Sequence, residues 1–245
     1  MSWRVALIDS CGEWPGAVEA AAFVDESAGA GAGAQRGARA VKRCATGTDA
    51  TGHGSRLARL LTDDGAVFEL LLGQVFLGTR PASAAAVAAA IDWAVAGDAD
   101  LIHMSLGLAA DRAVLAAAVW RAVAAGCVVV ASAPARGGVV YPAAYAGVIR
   151  GTGDARCAPG ELSCLGLGFF GGCPRWVVGG AEECTVAAGA GAGAGMGAGA
   201  SVGAAWVTRS IVTEPKWRDA RDVIGMMTAK ATYLGRERRG LVSTV

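Results

Sequence analysis

Three residues carry the side chains that acyl transfer needs: an acid, a base and a hydroxyl, Asp9, His53 and Ser201. A serine hydroxyl becomes a nucleophile when a neighbouring imidazole takes its proton. A carboxylate behind the imidazole fixes the tautomer and stabilises the cation that forms. The chain holds only two histidines, His53 and His103, so the choice of base is narrow. Asp9 closes the apolar run "WRVALID". His53 stands in "DATGHGS", where flanking glycines let the backbone turn, and a helix is expected to begin at or just after it. Ser201 follows the run "GAGAGAGMGAGA" and is expected at the junction between that loop and a second helix. There its N–H would point out of the helix N-terminus, where developing negative charge is stabilised.

The elements that must position these residues are legible from pattern. "WRVALI" (3–8), "AVFELLLGQVF" (66–76), "DLIHMSL" and "CVVVASA" are short apolar runs, as expected for strands covered on both faces. "GSRLARLL", "ASAAAVAAAIDWAVA" (82–96) and "ADRAVLAAAVWRAVAAG" read as helices, with Gly97 and Gly126 closing the latter two. Strands alternating with helices at this spacing predict an α/β fold, with a mostly parallel central sheet between helical layers. The Ala/Gly stretch "SAGAGAGAQ" (27–35) reads as a surface loop, residues 151–188 as hairpins and loops, and 201–213 and 216–230 as closing helices. No internal boundary is visible, so residues 1–245 are expected to form one domain. In such sheets ligands bind beyond the carboxyl ends of the strands. Asp9, Ser105 and Ser132 each end a predicted strand and should share one rim.

Composition narrows the function further. Hydrophobic residues make up 53% and charged residues 18%, which suits a packed core and not a disordered chain. With 22 basic and 21 acidic residues the net charge is +1, so neither nucleic acid nor a membrane is expected as partner. No secretory signal or spanning segment is apparent. The seven cysteines are an odd number, and reduced thiols in a cytoplasm are the expectation. Cys157, Cys164, Cys173 and Cys184 lack C-x-x-C spacing, so no zinc site is expected, and a disulfide among them only if the chain is exported. No cofactor is implied.

The wording around the three residues resembles the subtilisin-like serine proteases. "VALIDSCG" is similar to V-A-V-I-D-S-G, and "DATGHGSRLARLL" to D-x-x-G-H-G-T-H-V-A-G. "AIDWAVAGDADLIHMSLG" resembles A-I-x-W-A-x-x-x-G-A-D-V-I-N-M-S-L-G. "AAGCVVVASAPARGG" and "VVYPAAYAGVI" resemble the A-A-G-V-V-V-V-A-A-A-G-N-x-G and Y-P-A-x-Y-x-x-V-I blocks. "GASVGAAWVT" sits where the family has G-T-S-M-A-x-P-H-V-A, and "ATYLGRERRGLV" resembles the usual ending. The blocks follow in order from Trp3 to Val242, and acid, base, nucleophile is the subtilisin order.

The resemblance implies a subtilisin-like three-layer α/β/α fold and a serine endopeptidase. Asp9 would orient His53, His53 would take the proton of Ser201, and Ser201 would form an acyl-enzyme. The backbone of Ser105, Leu106 and Gly107 would pair with an extended substrate. Ser132, Ala133 and Pro134 would line a wall of the specificity pocket. The oxyanion hole would use the N–H of Ser201 and a side chain at Ala135, where the family has Asn. The chain contains no asparagine, and Arg136 is the candidate substitute. Pro134 replaces a glycine, and Ala200, Ala205 and Trp206 replace the family's Thr, Pro and His. His103 replaces an Asn and reads as a satisfied polar residue on a strand. Asp49 reads as structural. Neither prodomain nor calcium loops are expected.

The implied substrate is a peptide or small protein, such as a leader-bearing precursor presented by a modifying enzyme. A catalytically weak or inactive homologue that binds peptides is the alternative; the intact Asp9, His53 and Ser201 set favours the enzyme and the missing Asn the binder. An α/β-hydrolase is disfavoured by chain order, and no nucleophile elbow is expected. The Gly/Ala run can be fitted to G-x-G-x-x-G, but it follows no clear strand and lacks the later acidic residue of a dinucleotide site.

Overall fold

The computed structural model describes residues 2–26, 41–65, 67–78, 81–182, 198–216 and 220–237. Both Gly/Ala runs lie largely or wholly outside this set, so the loop expectations placed on them do too.

Among the described residues ten strands form one sheet. Its centre holds β1 (Trp3–Asp9), β4 (Phe68–Gln74), β5 (Leu101–Met104) and β6 (Val128–Ser132), all parallel. Every residue of β5 and β6 is buried, as their unbroken apolar sequence requires. β2 (Ala17–Asp25) pairs parallel with β4, and β3 (Val41–Cys44) closes that edge antiparallel to β2. On the other side β7 (Val148–Gly153) pairs with β6 and, in parallel, with β9 (Phe169–Gly172). β8 (Leu162–Gly166) forms an antiparallel hairpin with β9, and β12 (Tyr233–Leu234) adds the last edge. A separate pair, β10 (Val177–Val178) and β11 (Ala181–Glu182), stands outside the sheet.

Among the described residues five α-helices cover the sheet: α1 (His53–Thr62), α2 (Ala84–Ala96), α3 (Ala113–Ala124), α4 (Ala198–Val212) and α5 (Ala220–Lys230). Strand periodicity decides what each helix meets. Ala6 and Ile8 of β1, with Ile102 and Met104 of β5, pack under α2 and α3 through Val87, Ile91, Leu115 and Val119. Val5, Leu101, Val128 and Val130 face the opposite way, towards Val207 and Ile211 of α4 and Val223 and Met227 of α5. Leu7, Leu70 and Leu72 face the same side, under Leu57 and Leu61 of α1. The result is the three-layer α/β/α sandwich with a mostly parallel sheet that the sequence led us to expect.

Two expectations need correction. β2 and β3 were not foreseen, because "AVEAAAFVD" has too many alanines to read as a strand by propensity. Burial against β4 and α2 makes it one. The second correction concerns α4. The helix already contains Ala198, Gly199 and Ala200, so Ser201 lies inside its first turn and not at its junction with the preceding loop.

Candidate functional site

Period-two alternation carries the acid to the right face. Asp9 lies two and four residues beyond Leu7 and Val5, so it points towards α1 and α4. It is 1% exposed. By register it is opposite Gln74 on β4, and one residue past the pair Ile8 and Met104 that joins β1 to β5. Ser105 therefore ends the neighbouring strand at the same level, and Ser132 ends the next, since Met104 pairs with Ala131. The expected rim of Asp9, Ser105 and Ser132 is present.

His53 is the first residue of α1. Its Nδ1 lies 2.8 Å from Asp9 Oδ1, and a third of its side chain remains accessible. The same oxygen accepts from Ser10 N at 2.8 Å and from Ser10 Oγ at 3.1 Å. Ser10 Oγ in turn accepts from Gly54 N and Thr51 Oγ1, so the loop, the helix start and the acid form one directional set. Gly54 is required at this point: a Cβ would run into the backbone nitrogen of Cys11. Among the described residues Asp9 Oδ2 has no hydrogen-bond partner.

Burial lowers the His53 pKa, but the Asp9 charge and hydrogen bond outweigh it and hold the imidazole above its ordinary 6.5. With Nδ1–H donated to Asp9, the neutral ring presents Nε2 as an acceptor. Asp49 acts as a clamp on the same helix. It accepts from Gly52 N at 2.8 Å, Ser55 N at 2.8 Å and Ser55 Oγ at 2.7 Å. Burial works against its ionisation, yet these donors keep its pKa below the usual carboxylate value. These bonds tie the loop before α1 to the first turn of the helix.

Ser201 is 6% exposed, and α4 brings it to the same rim. The helix can approach because Gly203 lies against β7, where a Cβ would strike the Thr152 carbonyl. The Ser201 hydroxyl donates to the Ser105 carbonyl at 3.5 Å, and Ser105 Oγ donates to the Ser201 carbonyl at 3.3 Å. Among the described residues Ser201 Oγ makes no hydrogen bond to His53. The acid and base are thus joined, and the hydroxyl is held against Ser105, the residue that follows the adjacent strand.

The segments expected to hold substrate run side by side beyond β5 and β6. Ser105 and Leu106 are buried and Gly107 is exposed; Leu108 and Tyr141 then join in an antiparallel bridge. Ser132 and Ala133 are buried, with Ala133 N bonded to the Gly151 carbonyl at 2.8 Å, and Pro134 is half-buried. Ala135 and Arg136 are exposed. The Ala135 carbonyl accepts from Arg236 Nη1 at 3.5 Å, and among the described residues neither Ala135 nor Arg136 makes a hydrogen bond to Ser201.

Several neighbours of the site had not been singled out. The Trp176 ring stands edge-on to His53, with centroids 6.4 Å apart, and Arg56 lies over that indole at 4.3 Å. Gln74 ties the exit of β1 to the next loop through Ser10 O and Gly47. A lone glutamine closing an apolar strand was the available signal. Ser201 also stands in Gly199-Ala200-Ser201-Val202-Gly203, which spells G-x-S-x-G against expectation. Its place within a helical turn, and the order acid, base, hydroxyl, separate it from a strand–turn–helix elbow. Among the described residues no group of three His, Cys, Asp or Glu is placed to hold a metal ion. The described cysteines are unpaired thiols, and no described helix is long and apolar enough to cross a membrane.

This arrangement of layers, with the rim at the strand ends, is the subtilisin-like α/β fold. A psychrophilic protease shares it at a TM-score of 0.56, over 95% of this chain and 85% of that one, with 16% identity. That likeness is one of fold. A lanthipeptide protease matches at a TM-score of 0.47 and 21% identity, over 62% of this chain and 48% of that one. The nisin leader peptidase of Lactococcus lactis matches at 0.46 and 18%, over 62% and 56%. No protein-family model matches the sequence, and no curated protein matches it.

Proposed function

We propose that the protein is a serine endopeptidase in which Asp9, His53 and Ser201 cleave a peptide bond through an acyl-enzyme. The observation that carries this reading is the 2.8 Å contact of His53 Nδ1 with buried Asp9, made beside the turn that holds Ser201. Asp9 orients the imidazole. Its Nε2 takes the hydroxyl proton as Ser201 Oγ attacks the carbonyl, then gives that proton to the leaving amine. Water, deprotonated by the same imidazole, releases the acid product. The step requires Ser201 Oγ to leave the Ser105 carbonyl for the imidazole. The extended substrate lies between residues 105–107 and 132–134.

The finer reading is dedicated processing: removal of a leader segment from one small protein or peptide, delivered by a modifying enzyme. It rests on features that restrain a general protease, namely alanine at the oxyanion position and proline in the pocket wall. The enzyme type that matures the small subunit of quinohemoprotein amine dehydrogenases is one form such a protease takes. A second reading, a peptide-binding homologue of low activity, is favoured by the engagement of Ser201 Oγ with Ser105 instead of His53.

The deciding experiment incubates the purified chain and its Ser201→Ala variant with casein and with leader-bearing precursors, and maps products by mass spectrometry. A single cut at a leader junction, lost in Ser201→Ala with folding retained, is the expected result. Cutting of casein at many sites would overturn dedicated processing. Undiminished cutting by Ser201→Ala would move the nucleophile elsewhere. Binding without cutting by the unsubstituted chain would select the second reading.

A further inference from the structure

The second histidine makes a buried chain of hydrogen bonds that ends on the candidate nucleophile. His103 lies on β5 next to Leu7 of β1, with no accessible surface. Alternation along β5 turns His103 and Ser105 to the face that α4 covers. His103 Nδ1 is 2.7 Å from Thr208 Oγ1, and Nε2 is 2.8 Å from Ser105 Oγ. Ser105 Oγ donates to the Ser201 carbonyl at 3.3 Å.

The direction of every bond follows from its last member. A carbonyl only accepts, so the Ser105 hydroxyl proton goes to Ser201 O. Ser105 Oγ must then accept from His103, which places the ring proton on Nε2. Nδ1 is left as an acceptor, and Thr208 donates to it. The imidazole is neutral in this arrangement, in keeping with burial, which pushes its pKa down to about 4.

Thr208 and Ser201 are seven residues apart, two turns along one face of α4. The chain therefore leaves α4 at Thr208, crosses to β5 and returns to α4 at Ser201. Two anchor points on one helix fix its sliding and its rotation together, which a single bond cannot do. We propose that His103 is a positioning residue, which through Ser105 sets the place of the Ser201 backbone and hence the line along which its hydroxyl attacks. This rests on the peptidase reading above. An apolar residue at 103 would leave Ser105 Oγ without its donor and let the Thr208 hydroxyl turn back to the carbonyl four residues earlier.

The test uses the full chain with His103→Gln, His103→Asn and His103→Leu. Each is measured for the rate at which a fluorophosphonate probe labels Ser201, and for thermal unfolding. A glutamine amide nitrogen reaches about the place of imidazole Nε2 and keeps the donor to Ser105; asparagine stops near Nδ1. His103→Gln should label within about threefold of the natural chain, and His103→Asn and His103→Leu about tenfold more slowly. Should the latter two fail to fold, Ser105→Ala removes the same link from a smaller side chain and should also slow labelling about tenfold. Long-range proton–nitrogen NMR, with only two histidines to assign, should show the Nε2–H tautomer at His103. Equal labelling rates in folded His103→Leu, or an Nδ1–H tautomer, would overturn the positioning role. A natural chain that does not label at all would overturn the peptidase reading itself, a different outcome from unequal variants.

Discussion

At the scale of the residue, the pair Asp9 and His53 predicts how activity depends on pH. His53 must be neutral to take the Ser201 proton, and its pKa is held above 6.5 by the carboxylate it contacts. Activity should therefore fall on the acid side along a limb centred above 6.5, read from kcat/KM. Asp9→Asn removes the charge that raises the pKa, so the limb should move to lower pH. The same change loses the tautomer, and kcat should drop on the order of 10⁴-fold. An unmoved limb would assign the titration to another group. The oxyanion position gives a second prediction. If Ala135 is a lost donor, Ala135→Asn should raise kcat by up to ~10²-fold. If Arg136 has taken over, Arg136→Ala should be the damaging change and Ala135→Asn nearly neutral. Both are exposed, and the Ala135 carbonyl accepts from Arg236. No effect from either would mean that neither position supplies the donor.

At the scale of the element, the site depends on how closely two helices approach the strand ends. α1 is fastened by Asp49 and Ser10, whose donors and acceptors close on its first turn. α4 is fastened by absence of side chain, since Gly203 lies directly on the β7 backbone. Gly203→Ala should push α4 away from the sheet and destabilise the fold by about 1–3 kcal/mol, as over-packing does elsewhere. Urea unfolding measures the loss, and fluorophosphonate labelling of Ser201 should slow in the same variant. Unchanged stability would show that the helix can shift at no cost. The approach would then not be what places Ser201.

At the scale of the whole molecule, the two histidines act on stability with opposite signs. The His53 pKa is raised in the folded state, so its contribution is complete below 6.5 and is lost as pH rises through the folded value. That of His103 is lowered from 6.5 to about 4 by burial. The unfolded chain takes up this proton from 6.5 downwards and the folded chain does not, so stability present at neutral pH is lost progressively towards pH 4. The shift corresponds to roughly 3 kcal/mol, larger than one surface contact and a sizeable part of a domain's stability. Below the range in which His53 titrates, unfolding free energies measured from pH 6.5 to 4.5 should decline, and those of His103→Gln, which cannot titrate, should decline less steeply. Parallel curves would show that His103 is protonated in the folded chain.

The alternation of apolar runs with helical ones was enough to determine the layered α/β fold, because period and turn signals are local. The places of Asp9 at the end of β1 and of His53 at the start of α1, and the rim of Asp9, Ser105 and Ser132, were legible for the same reason: each closes or opens an element whose end could be read. Strand β2 was not legible, because its alanines favour helix by intrinsic propensity and only burial against β4 decided its state. Nor could the sequence show that Ser201 sits within a helical turn, with its hydroxyl on Ser105 and not on His53. Those contacts join residues about a hundred positions apart, and their geometry depends on how far α4 sinks onto β7. His103 is the clearest case. As a sequence letter it was a polar residue to be satisfied on a strand; only the packing of α4 across β5 brought Thr208 and Ser105 to its two nitrogens.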